Sequence, residues 1–267
     1  MVRNLNKLGL FITLSFAITS STWISAVSAD SLSGDASVRF NASDNPSPPV
    51  DPDNPDKVID PGEVVKTEGP LRLDFVPKLS FGYRVISDQD QRYNVKAQQF
   101  VSDTPARPNY IQLTDNRWNM GGWRLTLQQE KQFYSAEAKE AKELKGAVIT
   151  FNQQSIHSAY DLDGYVPEIV KEDIALNEMG ASYTIVEASE NKGPGTWVIK
   201  FGASDTDDDK ETSLIPVLHD NGKPLIDDYY QKPVYENTGI RLSVPGSINK
   251  EAVKYSTVLV WTLSELT

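Results

Sequence analysis

The side chains that most often carry catalysis are scarce in this chain. It has no cysteine and only two histidines, His157 and His219. Thiolate nucleophiles and cysteine-ligated metals are therefore excluded. Neither histidine falls in a His-Glu-x-x-His pattern, which would set two zinc ligands on one helix face. The Gly-x-Ser-x-Gly turn of serine hydrolases and the glycine-rich phosphate loops are missing too. Carboxylates are the one abundant reactive type, with 37 acids in the chain. The separation of roughly 5 to 9.5 Å that defines a glycosidase pair belongs to the fold, however, and no sequence signal localises such a pair. The acids are read as a solvated surface, and a carboxylate-dependent glycan hydrolase is the least supported reading.

One acidic run, Asp205-Thr206-Asp207-Asp208-Asp209, sets carboxylates at alternate positions that could converge on calcium. Against a helix-loop-helix calcium site it fails twice. The sixth position is Lys210 where glycine makes the turn, and the twelfth is Pro216 where a glutamate binds. Asp205, Asp207 and Asp209 form a weak metal candidate, and an acidic loop without an ion is the expected state. No cofactor is expected.

The aromatic residues offer a different chemistry, because flat rings stack on the apolar faces of sugars. Two Trp-x-Leu triplets stand out, Trp123-Arg124-Leu125 and Trp261-Thr262-Leu263. In a strand, residues two apart share a face, so Trp123, Leu125 and Leu127 project together, as do Leu259, Trp261 and Leu263. A tryptophan that shares its face with leucines is normally core. The opposite face of the first triplet carries Arg124, Thr126 and Gln128, an expected exposed polar surface. Around the second, Tyr255 to Leu263 is apolar on both faces and reads as a central, doubly buried strand. Trp118 and Trp197 are weighed in the same way, and Tyr83, Tyr110, Tyr165 and Tyr229-Tyr230 are the candidate exposed aromatics.

The elements that hold these residues alternate with a period of two. Leu71, Leu73 and Phe75, then Ala147, Ile149 and Phe151, then Trp197, Ile199 and Phe201, then Ile240, Leu242 and Val244 all follow this pattern. Turn signals separate them: Asn191-Lys192-Gly193-Pro194-Gly195, Asp220-Asn221-Gly222-Lys223-Pro224 and Asp161-Leu162-Asp163-Gly164. The expected fold is all-β, an antiparallel sandwich or barrel with long loops. Only Ser135 to Lys145 dissents. Its helix formers and alternating charges describe either one surface helix or a charged hairpin tip.

Residues 1–29 read as a signal peptide, with Arg3 and Lys7 ahead of an apolar run and Val27-Ser28-Ala29 as a cleavage site. That run is too short for the roughly 20 residues of a membrane span. Residues 30–42 form a short segment whose Val38-Arg39-Phe40 could be a strand. Residues 43–62 hold six of the sixteen prolines, interleaved with acids, and are expected as an extended, self-repelling linker. Residues 63–267 make the domain. Without residues 1–29 the chain has 24 basic and 37 acidic residues, a net charge of -13. Such a charge excludes nucleic acid and anionic lipid as partners.

Seven blocks, in order, carry a resemblance. They are Gly69 to Gly82, Arg107 to Arg117, Gly122 to Leu127, Leu144 to Ala147, Gly195 to Gly202, Val244 to Gly246 and Tyr255 to Leu263. Together they resemble the WxL domain family of low-GC Gram-positive surface proteins, in its small, single-domain form. The resemblance implies export, non-covalent association with the cell wall through peptidoglycan, and work beside membrane-anchored partner proteins of the same gene cluster. It implies roles in adhesion or wall organisation as well, a host-surface ligand among them. The acidic run from Asp205 to Glu211 departs from the family pattern. Three readings are carried forward: a non-catalytic wall-binding protein, a surface subunit docked on a membrane-anchored partner, and the hydrolase.

Overall fold

The computed structural model describes residues 47–117, 119, 121–160, 163–207 and 210–266. The readings for residues 1–29 and 30–42, and those for Trp118 and Asp209, lie outside the described residues. The strands begin with β1 (Val50–Asp51), β2 (Asn54–Val58), β3 (Leu71–Phe75), β4 (Gln91–Lys96) and β5 (Asn109–Asp115). They continue with β6 (Trp123–Gln129), β7 (Val148–Phe151), β8 (Gln154–His157), β9 (Glu168–Ile169) and β10 (Ile174–Ala175). The last are β11 (Ser182–Ala188), β12 (Gly195–Phe201), β13 (Leu214–Pro216), β14 (Tyr235–Val244) and β15 (Leu259–Glu265).

Every pairing is antiparallel. One sheet has the order β15-β6-β11-β9 and a second β3-β5-β12-β8. A third runs β10-β7-β14-β13, with β4 also on β14, and β1 pairs with β2. This is the expected all-β sandwich. Alternation turns Leu73, Ile111, Leu113, Trp197 and Ile199 of the second sheet inward. They meet Trp123, Leu125 and Leu127 of the first and Ile149, Phe151, Ile240 and Leu242 of the third in one core. At about 1.5–3 kcal/mol for each fully buried large apolar side chain, this core holds a cysteine-free chain together.

Three segments differ from expectation. The strand read as central and doubly buried, β15, is the edge of its sheet, pairs with β6 alone and is half-buried at best. The doubly buried strand is β5, every residue of which is buried. Its outward residues Gln112 and Thr114 are polar, which hides the burial from a hydropathy reading. Secondly, the stretch expected as an extended spacer forms, from Ser47 onward, a β1–β2 hairpin that roofs the outer face of the β5–β12 sheet. Ile59 beneath it joins Phe75, Phe100, Tyr110 and Val198 in a second core. Thirdly, Ser135 to Lys145 contains no helix. It is the hairpin tip, closed by Ser135 N–H to the Lys142 carbonyl at 2.9 Å and Leu144 N–H to the Phe133 carbonyl at 3.0 Å. The Glu251 carboxylate accepts the N–H groups of Lys139, Glu140 and Ala141 at 2.9, 2.8 and 2.8 Å. Those bonds hold its acid below the usual range and supply what helical hydrogen bonds would have supplied.

Candidate functional site

The two Trp-x-Leu triplets lie on neighbouring antiparallel strands. Their register is offset, so that Trp261 faces Leu127, Leu263 faces Leu125 and Glu265 faces Trp123. All the tryptophans and leucines of the pair therefore point to one side of the sheet. Trp123 is fully buried, and its ring N–H donates to the Gly193 carbonyl at 2.9 Å. Gly193 has φ +76°, and a Cβ there would lie 2.4 Å from Trp123 Nε1. Only glycine lets the turn joining β11 to β12 close on the indole. Trp123 thus pins the connection between two sheets.

Trp261 is placed differently. Its ring packs on Phe151 and Phe201, with centroids 5.9 Å from each. It also lines an open groove of about 1270 Å³ between β15 and the chain from Val76 to Ile86. Arg117 staples the two triplet strands at one end, donating to the Gly122 carbonyl at 2.7 Å and pairing with Glu265 at 2.8 Å.

The reverse side of the sheet is a largely polar grid. Across β15, β6 and β11 the rows read Val260, Gln128, Ser182; Thr262, Thr126, Thr184; and Ser264, Arg124, Glu187. Thr262 and Ser264 are exposed and the β6 residues partly so. Arg124 pairs with Glu187 at 2.7 Å. The middle residue of each triplet, Arg124 and Thr262, therefore faces outward while its neighbours anchor the strand. A family model for the WxL domain, described as surface cell wall-binding, matches residues 27–266.

The chain belongs to the WxL family. It is a surface protein of the cell wall-binding kind. No curated protein and no solved structure matches it.

In this WxL protein the acidic loop is occupied from within. Asp207 turns inward and holds the fully buried Lys200 at 2.5 and 2.7 Å, while Asp53 of the roof hairpin holds the same ammonium at 2.7 Å. Arg107 completes the cluster, bonding both oxygens of Asp51 at 2.9 and 3.1 Å and Asp53 at 2.8 Å. Burial pushes the Asp53 carboxyl up, but the Lys200 hydrogen bond and the charges of Lys200 and Arg107 outweigh it and hold the acid below its ordinary value. Asp205 is exposed. Among the described residues no group of acids or histidines is arranged to hold a metal ion.

His157 bonds Ser155 Oγ at 3.0 Å on the same strand. Burial, then the charge of Lys200, keeps its imidazole below the ordinary range. Among the described residues no carboxylate hydrogen-bonds the ring to make a triad. Of the candidate exposed aromatics, Tyr83, Tyr165 and Tyr229 are exposed and Tyr230 is half-buried. Tyr110 is a correction. It is fully buried, stacked 4.7 Å from Phe75, because the roof hairpin covers the face on which it stands.

Sequence reasoning missed the groove and the cluster of Arg107, Lys200, Asp51 and Asp53. The buried cluster had one visible signal, a lysine in an otherwise apolar Trp-Val-Ile-Lys-Phe run.

Proposed function

We propose that this WxL protein is a non-catalytic module that attaches non-covalently to peptidoglycan of the Gram-positive wall through the polar face of its β15-β6-β11 sheet. Its role there is structural or adhesive. The observation that carries this reading is the grid itself. Both triplets spend their large apolar side chains on holding the sheet, and the residues between them present hydroxyl, amide and guanidinium groups on its open side. Such groups hydrogen-bond the hydroxyls and N-acetyl groups of a glycan strand. Pelleting with purified sacculi tests the proposal. The native protein is expected in the pellet, and the folded Thr126→Val/Thr262→Val double variant in the supernatant. A native protein that stays in solution, or a double variant that pellets equally, refutes it.

A second reading, a subunit docked on a membrane-anchored partner protein, is favoured by a separate observation. The edge of β15 and the chain from Phe81 to Ile86 both lie open beside the groove. Loss of surface retention on deleting the neighbouring membrane protein, with sacculi unbound, is the result expected under that reading.

A further inference from the structure

Four features converge at the groove. Strand β15 ends its sheet, so the backbone of Leu259–Glu265 has strand bonds to β6 on one side only. Its seven residues span about 23 Å, and β3 lies close to part of that length without bonding to it. Opposite, Tyr83, Val85 and Ile86 sit outside any strand at 105, 90 and 52% exposure. Interrupted only by Arg84, this exposed apolar stretch is of a kind that isolated proteins rarely leave uncovered. Between the two edges the floor is apolar, with Trp261, Leu259, Phe81 and Phe133 among its residues. The groove also exceeds the roughly 300–1,000 Å³ of small-molecule pockets. Finally, its charge opposes that of the chain. Lys78 and Arg84 of its lining are already paired with Glu63 and Glu236, which leaves Lys96, Lys250 and Lys254 against Glu137 and Glu251, a small basic excess in a protein whose acids outnumber its bases by 37 to 26.

Unsatisfied strand edges call for peptide N–H and C=O groups repeating at strand spacing, and only another polypeptide backbone supplies them. We infer that the groove receives an extended segment of a partner protein, which adds as a strand to β15, lays alternate apolar side chains against Trp261 and Leu259, and carries acidic residues at its ends. The inference deepens the partner-docking reading and rests on it. Glycan binding on the opposite face of the sheet is independent of it.

The probe is a synthetic peptide of about ten residues alternating valine and threonine, with aspartates at both ends. Its comparators are the same peptide with lysine ends and the aspartate form with alternate backbone nitrogens methylated. With the full chain, the aspartate peptide is expected to change tryptophan fluorescence and to protect the amides of Leu259–Glu265 from hydrogen exchange. The lysine form is expected to bind about tenfold more weakly, and the methylated form not at all. Val85→Asp and Lys254→Glu, both at exposed positions, are expected to weaken binding about tenfold while sacculus pelleting is unchanged. No binding of the aspartate peptide at about 1 mM, indifference to methylation, or protection elsewhere overturns the inference. So does displacement by chitin oligosaccharides, which would make a sugar the occupant, or self-association abolished by Val85→Asp, which would make it a second copy. Retention lost on deleting the membrane partner, together with a silent peptide, removes the groove and leaves partner docking standing.

Discussion

Two sheets of this molecule turn polar faces away from the same core, and the faces are put to opposite uses. The outer face of β5 and β12, with Gln112, Thr114, Thr196 and Lys200, is roofed by the β1–β2 hairpin. The outer face of β6 and β15, with Arg124, Thr126, Thr262 and Ser264, has no roof among the described residues. On the roofed side the polar side chains of β5 and β3 are matched, apart from the Tyr110 hydroxyl. Thr114 donates to Asp74 at 2.5 Å, Asp74 holds Arg72 at 2.8 Å, and Gln112 exchanges bonds with Val50 N–H at 2.9 Å and the Pro48 carbonyl at 3.0 Å. On the open side the ion pair of Arg124 with Glu187 is exposed by about a third or more on each partner. Polarity on a sheet face thus says nothing of its exposure until its partners are found; what remains unmatched is what can bind.

The most direct break in this contrast is expected under the roof. Lys200→Ala leaves Asp207 without its cation and Asp53 with Arg107 alone, and should cost about 3 kcal/mol. Urea denaturation reads the cost, and hydrogen exchange should show the hairpin at residues 50–58 opening first. The inward sides of the two triplets sharpen the comparison next. Trp123→Ala removes a fully buried ring and its bond to Gly193, a loss of about 3–5 kcal/mol, whereas Trp261→Ala at the edge should cost about half of that. Equal losses would show that β15 is as deeply buried as β6.

Acid separates the faces further. His157 is held below its ordinary 6.5. As pH falls the unfolded chain therefore binds that proton first, and stability declines from about pH 6.5 downward. Asp53 is held below its ordinary 3.8, so its contribution is intact above that value and is lost below it as the folded acid titrates. Melting temperature followed from pH 7 to pH 3 should fall in these two windows, and Asp53→Asn should shrink the lower one, to which Glu251 also contributes. Over the same range the net charge of -13 shrinks toward the pI near 4.7, so repulsion from anionic wall polymers weakens. Retention by whole walls at low salt should be tighter at pH 5 than at pH 7. Equal retention would mean that charge does not govern attachment. The smallest effect on folding is expected on the open face, where Arg124→Ala should change stability by no more than about 0.5 kcal/mol yet weaken sacculus binding.

Four strands were legible from alternation alone: β6, β7, β12 and the end of β14 stand where period two placed them, whereas in β3 an irregularity between Leu73 and Phe75 turns Phe75 to the second core. Strand β15 was misread because Val258 and Val260 flank its inward residues with apolar neighbours, and a sequence does not say that the sheet stops there. Strand β5 misleads in the opposite sense. Gln112 and Thr114 look solvent-facing until Pro48 and Val50, some 60 residues earlier, are folded onto them. The same distance hid the fate of the acidic prolines, since Asp51 and Asp53 repel one another in an isolated segment but answer Arg107 and Lys200 in the fold. Of the candidate site, the inward and outward sides of Trp123 could be read in advance. The groove could not, because it is made by two segments that meet only in space.

The roof hairpin also sets how the protein meets force. Ser47 is held by Arg72 at 3.0 Å and by Thr114 at 3.2 Å, Asp51 by Arg107 and Asp53 by Lys200. A pull arriving from the N-terminal side should therefore load these side-chain contacts, beginning with those of Ser47 to β3 and β5, before the backbone pairing of the core strands. The hairpin acts as a mechanical fuse: it yields one ion pair at a time and lengthens the tether, while the sheet carrying the two triplets stays folded under tension.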